Sequence, residues 1–114
     1  GQSRAHMLVA TNVAQAGAVQ GVQVSDWRDI DLKSARGIAR LNGEVVGEGV
    51  GSDVMGHPME PLIWLANLFA QRGDELSKGE VILTGSLTTP INLAAGDSVS
   101  FEIEGIGDVS VNVT

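Results

Sequence analysis

Residues 51–86, GSDVMGHPMEPLIWLANLFAQRGDELSKGEVILTGS, decide how this chain is read. From Pro61 to Ala70 the apolar residues are Leu62, Ile63, Leu65, Ala66, Phe69 and Ala70. Their three- and four-residue spacing is that of a helix burying a broad face. Pro58 and Pro61 stand at its mouth, where a missing N–H costs no hydrogen bond. Arg72 and Gly73 supply the stop. The spacing predicts one main helix at about 59–72, with Trp64 largely buried. A Lys78-Gly79 turn then leads to Val81-Ile82-Leu83, which reads as a buried strand, and Thr84-Gly85-Ser86-Leu87 lies at its far end.

Upstream, Ala35–Leu41 reads as a strand. Asn42-Gly43 is the strongest hairpin signal in the chain, because a type I′ turn needs positive φ at both central residues. Glu44–Gly49 returns as the partner strand, and its glycines point to bulges or close packing. Val22–Trp27 alternates as a further strand, and the charged run after it leaves Trp27 the more exposed tryptophan. Downstream, Glu80–Leu83, Ile91–Leu93, Ser98–Glu104 and Val109–Val113 carry strand signals. Gly105-Ile106-Gly107-Asp108 joins the last two. Met7–Gly21 reads as a short strand or loop running into a short helix, and residues 1–6 as a cloning scar outside the fold. The class is therefore α+β: mostly antiparallel β with one main helix, in a single domain over residues 7–114.

Composition narrows the function. With 14 acidic and 7 basic residues the net charge is −7, and the basic residues are scattered among carboxylates. This argues against nucleic acid and against an anionic membrane surface as partners. The chain has no cysteine, which excludes disulfides and thiolate chemistry and fits a cytoplasmic location. No apolar run approaches the roughly 18 residues of a membrane span. Neither a GxGxxG opening a helix nor a GxxxxGK[ST] is present, so phosphate cradles of those kinds are excluded.

The candidate site residues each have a plain structural reading beside a functional one. His57 precedes the helix, where a neutral imidazole can cap backbone N–H groups or touch a substrate. Ser86 ends a strand without a GxSxG elbow around it, yet its hydroxyl and neighbouring N–H groups suit a carboxylate. Glu44 and Glu48, four apart on one strand, are expected on the same side, as an exposed pair or as oxygen ligands for a divalent ion. No residue is assigned a catalytic role and no metal-ligand set converges.

Several strings occur together and in order: Leu41-Asn42-Gly43-Glu44-Val45-Val46-Gly47-Glu48-Gly49, Gly56-His57-Pro58, Trp64-Leu65-Ala66-Asn67, Leu83-Thr84-Gly85-Ser86-Leu87, Ala95-Gly96-Asp97 and Gly105-Ile106-Gly107. The set resembles the C-terminal portion of 2-keto-4-pentenoate hydratases and 4-oxalocrotonate decarboxylases, in the fumarylacetoacetate hydrolase superfamily. The likeness runs from about Val9 to Val113. It implies a mixed β-roll and, in the longer family proteins, a Mg²⁺ or Mn²⁺ site of Glu and Asp side chains upstream of everything present here, with the Lys and Asp of acid–base chemistry. Where the family tends to have Asp-Asn-Ala-Ser, this chain has Thr11-Asn12-Val13-Ala14, which removes two polar groups. By resemblance His57, Gly85 and Ser86 remain as substrate-binding positions.

Two readings follow. One is a truncated hydratase-like domain without the metal-ligand region and without a cofactor, non-catalytic alone, serving as a binding or oligomeric module. The other is a metal-dependent hydratase or decarboxylase acting on 2-keto acids of aromatic catabolism. The first implies self-association as a homodimer, with a small 2-keto acid as a candidate ligand.

Overall fold

The computed structural model describes residues 17–114. The expectations for residues 1–6, for Thr11 and Ala14, and for most of Met7–Gly21 lie outside the described residues; Gly17–Gly21 form no regular element.

Four strands form one antiparallel sheet: β1 (Arg36–Leu41), β2 (Glu44–Val50), β3 (Ser98–Ile103) and β4 (Gly107–Asn112), in the spatial order β2-β1-β3-β4. Among the described residues one α-helix, α1 (Glu60–Gln71), interrupts the strand sequence. The class is α+β, and the helix falls within a residue of its expected bounds at each end.

The β1–β2 hairpin follows from its turn residues. Asn42 and Gly43 take φ of 51° and 86°, the pair of positive values a type I′ turn requires. Asn42 also ties the hairpin to the neighbouring strand. Its side-chain N–H donates to Asp97 Oδ1 at 3.0 Å, and its Oδ1 accepts the Ser98 backbone N–H at 2.9 Å. The first of these, followed by the Ala94 backbone N–H, holds the Asp97 carboxyl below the usual carboxylate range. A depressed pKa contributes stability above the unfolded-state value of about 3.9, lost as pH falls through the folded value. Replacing Asn42 by Gly keeps the turn and removes the clamp. The Asp97 titration midpoint, read by NMR, should then rise, and an unmoved midpoint would contradict this account.

The sheet register corrects one expectation. β1 and β2 slip between Ala39 and Arg40, so Ala39 faces Gly47, Arg40 faces Val45, and Val46 is the extra residue of a bulge. Directly opposed residues share a face. Glu48 therefore lies on the face of Ile38, and Glu44 on that of Leu41, three residues along β1 and pointing the other way. Glu44 and Glu48 do not form a pair. Glu48 instead bonds Arg36, while Glu102 accepts from Arg40 at 2.9 Å. These exposed ion pairs decorate the polar face and contribute little to stability.

The opposite face is apolar, with Ala39, Leu41, Val99, Phe101 and Val109 among its residues. The chain after α1 crosses it. At Gly37 a Cβ would stand 2.5 Å from Leu87 Cδ1, and at Gly47 3.0 Å from Thr88 Cγ2; at Gly49 it would overlap the Leu87 carbonyl oxygen. The glycines of β1 and β2 are thus the seat of Leu87 and Thr88, not an anion nest. Gly51, at the end of β2, abuts Leu32 and Lys33, donates its N–H to Ala35 O at 3.0 Å, and is followed by Ser52 N–H to Lys33 O at 2.7 Å.

α1 closes with a Schellman arrangement: the Asp74 N–H bonds Phe69 O at 2.8 Å and the Gly73 N–H bonds Ala70 O at 3.1 Å, with Gly73 at φ 76°. Its partly buried stripe is Leu62, Leu65, Ala66 and Phe69. Trp64, turned about 150° from that stripe at 100° per residue, is 59 % exposed, whereas Trp27 is half-buried. The expected order of the two tryptophans is reversed. Trp27 opens a 3₁₀ turn, Trp27–Asp29, with the Arg28 guanidinium 4.6 Å from its ring centroid. In dilute solution iodide should quench a chain with only Trp64 more strongly than one with only Trp27; equal quenching would contradict this placement.

Three expected strands do not form. Val22–Trp27 runs without ladder partners into the 3₁₀ turn, and neither Glu80–Leu83 nor Ile91–Leu93 joins the sheet. Val81 and Leu83, read as core, are 58 % and 69 % exposed. Alternating apolar residues make a strand only against a hydrogen-bonded neighbour, and the described sheet holds only β1 to β4. Among the described residues the buried apolar side chains are Ala35, Ala39, Val54 and Val99.

Candidate functional site

The loop Thr84–Leu87 follows the extended Val81–Leu83 segment and is held over the apolar sheet face by Leu87. Gly85 takes φ 127°, a value suited to glycine. A Cβ on Gly85 would lie 3.3 Å from Val54 Cγ1, so the loop rests on one of the few buried side chains.

Two concavities flank the loop. One, about 190 Å³, lies between Gly85–Thr88 and β1 and β3, with Ile38 and Phe101 in its wall. The other, about 240 Å³, is lined by Gly51, Val54, Pro58, Met59, Thr84 and Gly85, among others, and brings the loop against the mouth of α1. Both are mostly apolar with few polar groups, the lining typical of small-molecule pockets. Among the residues proposed from sequence, Gly85 and Ser86 come together on the first, and Gly85 also lines the second.

The Ser86 hydroxyl is engaged within its own turn. It donates to the Thr88 carbonyl at 2.7 Å and accepts the Thr88 N–H at 3.2 Å, which shapes the loop. His57 lies in neither concavity. Its Nδ1 accepts the Met59 N–H at 3.0 Å, just before the helix, the capping role open to a neutral imidazole. The Asp31 carboxyl is held low mainly by the Ser34 hydroxyl and backbone N–H. Sequence reasoning missed Val54 and Leu87, whose role is to carry and seat the loop. The glycines at 37, 47 and 49 were the available signal.

Among the described residues no group of three His, Asp or Glu side chains converges to hold an ion. Glu48 and Glu102, the carboxylates nearest the sheet centre, are committed to arginines on the polar face. The described residues do not fit a divalent cation.

The fumarylacetoacetate (FAA) hydrolase C-terminal family matches residues 7–114. The chain belongs to this family. It is 36 % identical over 103 residues to a 4-oxalocrotonate decarboxylase of Pseudomonas putida, covering 90 % of this chain and 39 % of that protein. It is 42 % identical over 106 residues to a 2-hydroxyhexa-2,4-dienoate hydratase of Comamonas testosteroni, covering 93 % of this chain and 40 % of that one. The solved 4-oxalocrotonate decarboxylase of Pseudomonas putida G7, complexed with calcium and acetate, superposes with a TM-score of 0.85 at 34 % identity, over 94 % of this chain and 41 % of that one. The same enzyme is also solved complexed with magnesium and adipate. The resemblance read from the ordered strings is thereby shown, while this FAA hydrolase C-terminal chain spans about two fifths of the length of the curated relatives it matches. No helix among the described residues is long and apolar enough to cross a membrane.

Proposed function

We propose that this chain is a binding and oligomeric module of the hydratase and decarboxylase family, one wall of a small-molecule pocket that performs no chemistry alone. The observation that carries the reading is the Gly85–Thr88 loop, seated on a glycine stripe and lining apolar concavities with no convergent acidic ligands among the described residues. The ligand class is a small 2-keto acid, touching Gly85 and Ser86 in the concavity beneath the loop. Self-association as a homodimer is supported by exposed apolar side chains among the described residues, Ile63, Trp64, Val81 and Leu83 among them, which gain by being covered in another copy. Its charge of −7 favours neither nucleic acid nor membrane as partner, and the absence of cysteine suits a cytoplasmic location. A second reading draws on the 42 % identity to a hydratase. Joined to residues supplying Mg²⁺ or Mn²⁺ ligands, the same wall would serve a metal-dependent hydratase or decarboxylase of 2-keto acids.

Two measurements test the first reading. Turnover of 2-hydroxypenta-2,4-dienoate by the isolated chain, with Mg²⁺ present, should not exceed the uncatalysed rate. Turnover that EDTA abolishes would sink the non-catalytic assignment. Titration of the isotopically labelled chain with adipate should shift the amide signals of Gly85 and Ser86. Signals unmoved up to millimolar adipate would remove the pocket wall from the proposal.

A further inference from the structure

Of the five asparagines, Asn42 alone is followed by glycine; Asn12, Asn67, Asn92 and Asn112 precede Val or Leu. Glycine has no side chain to shield its backbone nitrogen, so that nitrogen can reach the carboxamide carbon of the Asn before it. Asn42 is exposed, and water has access to it. The fold opposes the attack with three hydrogen bonds to one stretch of chain. The Asn42 backbone N–H donates to Ser98 O at 2.7 Å. Its side-chain N–H donates to Asp97 Oδ1 at 3.0 Å, and its Oδ1 accepts the Ser98 N–H at 2.9 Å. Swinging the carboxamide onto Gly43 breaks both side-chain bonds at once. The Asn42 side chain, followed by the Ala94 N–H, also keeps Asp97 ionised, so it has no proton to give a leaving ammonia.

We infer that Asn42-Gly43 is a spontaneous deamidation site that the native clamp holds shut and unfolding opens, so that a chain which has lost its hairpin is covalently marked. In the unfolded chain the Gly43 nitrogen bonds to the Asn42 Cγ and the Cγ–Nδ2 bond breaks. Nδ2 leaves as ammonia, carrying the proton that the Gly43 N–H gives up. The cyclic imide then takes up one water. Cleavage between Cγ and the Gly43 nitrogen leaves aspartate at position 42. Cleavage on the main-chain carbonyl side leaves isoaspartate, with the main chain running through Cβ and Cγ. Neither product restores the clamp. An aspartate sets a second carboxylate against Asp97, where an N–H had donated. An isoaspartate lengthens a two-residue turn whose flank is fixed, with Leu41 facing Glu44 on β2 and Val99 on β3. The φ values of 51° and 86° then no longer close the hairpin. Refolding does not reverse either product. The inference stands apart from the ligand and oligomer readings above.

The test incubates the whole chain at mildly alkaline pH, folded and in urea, and follows ammonia release and the mass of the Asn42 peptide. In urea Asn42 should convert well ahead of the other four asparagines. In the folded chain it should convert at least about tenfold more slowly than in urea, the protection expected of two side-chain hydrogen bonds. Asp97→Ala removes one acceptor and should speed conversion in the folded chain at least about threefold, with an unchanged far-ultraviolet spectrum. Val54→Ala thins the core but leaves these partners in place, and should speed it less. Asn42→Asp supplies one product directly and should melt about 4–8 °C below the parent chain at neutral pH. Equal rates in the folded and urea-unfolded chain overturn the inference. So does a Val54→Ala chain that converts as fast as Asp97→Ala, which would make overall stability the only protection. An Asn42→Asp chain as stable as its parent overturns the loss of the clamp in the product.

Discussion

Replacing Gly51 by Ala should destabilise the chain by about 3 kcal/mol and lower its melting temperature by about 10 °C or more. Gly51 sits where β2 ends and the chain turns against residues 32–35, and it is buried. A Cβ there would overlap the Leu32 carbonyl oxygen and come 3.1 Å from that of Lys33. Both obstacles are backbone, and the same stretch is held by the Gly51 and Ser52 N–H bonds, so relief requires breaking them. Gly49→Ala should behave similarly, because its obstacle is the Leu87 carbonyl oxygen. Gly37→Ala is the control: its closest atom is a Leu87 methyl that can rotate away, and the expected cost is about 1 kcal/mol. Chemical denaturation of the three variants decides the matter. Equal losses at positions 51 and 37 would show that backbone obstruction is not the cause.

The second large effect is expected from Val99→Ala, a loss of about 2 kcal/mol from two buried methyl groups and the cavity they leave. Val99 lies on β3, one of the two inner strands, between Leu41 and Val111, and is 4 % exposed. Only four apolar side chains are buried among the described residues, so each one weighs heavily. Val45→Ala, on the exposed side of β2, should change stability by about 0.5 kcal/mol or less. Thermal unfolding by circular dichroism compares them, and a Val99 variant as stable as the Val45 variant would mean that the sheet is not the core.

Adipate binding and stability should also be coupled through the loop. Leu87 spans the seat and both concavities, so Gly49→Ala should weaken any adipate-induced shift at Gly85 and Ser86 even under conditions where the chain remains folded. A full shift in the folded variant would separate the loop from its seat.

Local sequence determined much of this protein. The 62, 65, 66, 69 spacing with Gly73 behind it determines α1, Asn42-Gly43 determines the hairpin, and the alternation of Val99, Phe101, Val109 and Val111 determines the last two strands. These signals are local: a capping glycine, a turn dihedral and a side-chain period act within a few residues, so they survive in any context. The ordered strings were likewise enough to reach the family. His57 before the helix could be read as a cap for the same reason, since the N–H it accepts is two residues away.

Only the tertiary structure decided the rest. One extra residue at Val46 sent Glu44 and Glu48 to opposite faces, and a bulge is set by pairing across strands. The glycines at 37, 47, 49 and 51 became seats for Leu87, Thr88 and the residue 32–33 backbone, segments that sequence alone does not place beside them. Trp64 faces outward because the helix rests on a stripe narrower than its apolar content. Val81–Leu83 has the composition of a core strand yet stands open. Burial depends on whether another surface arrives, and no residue carries that information by itself.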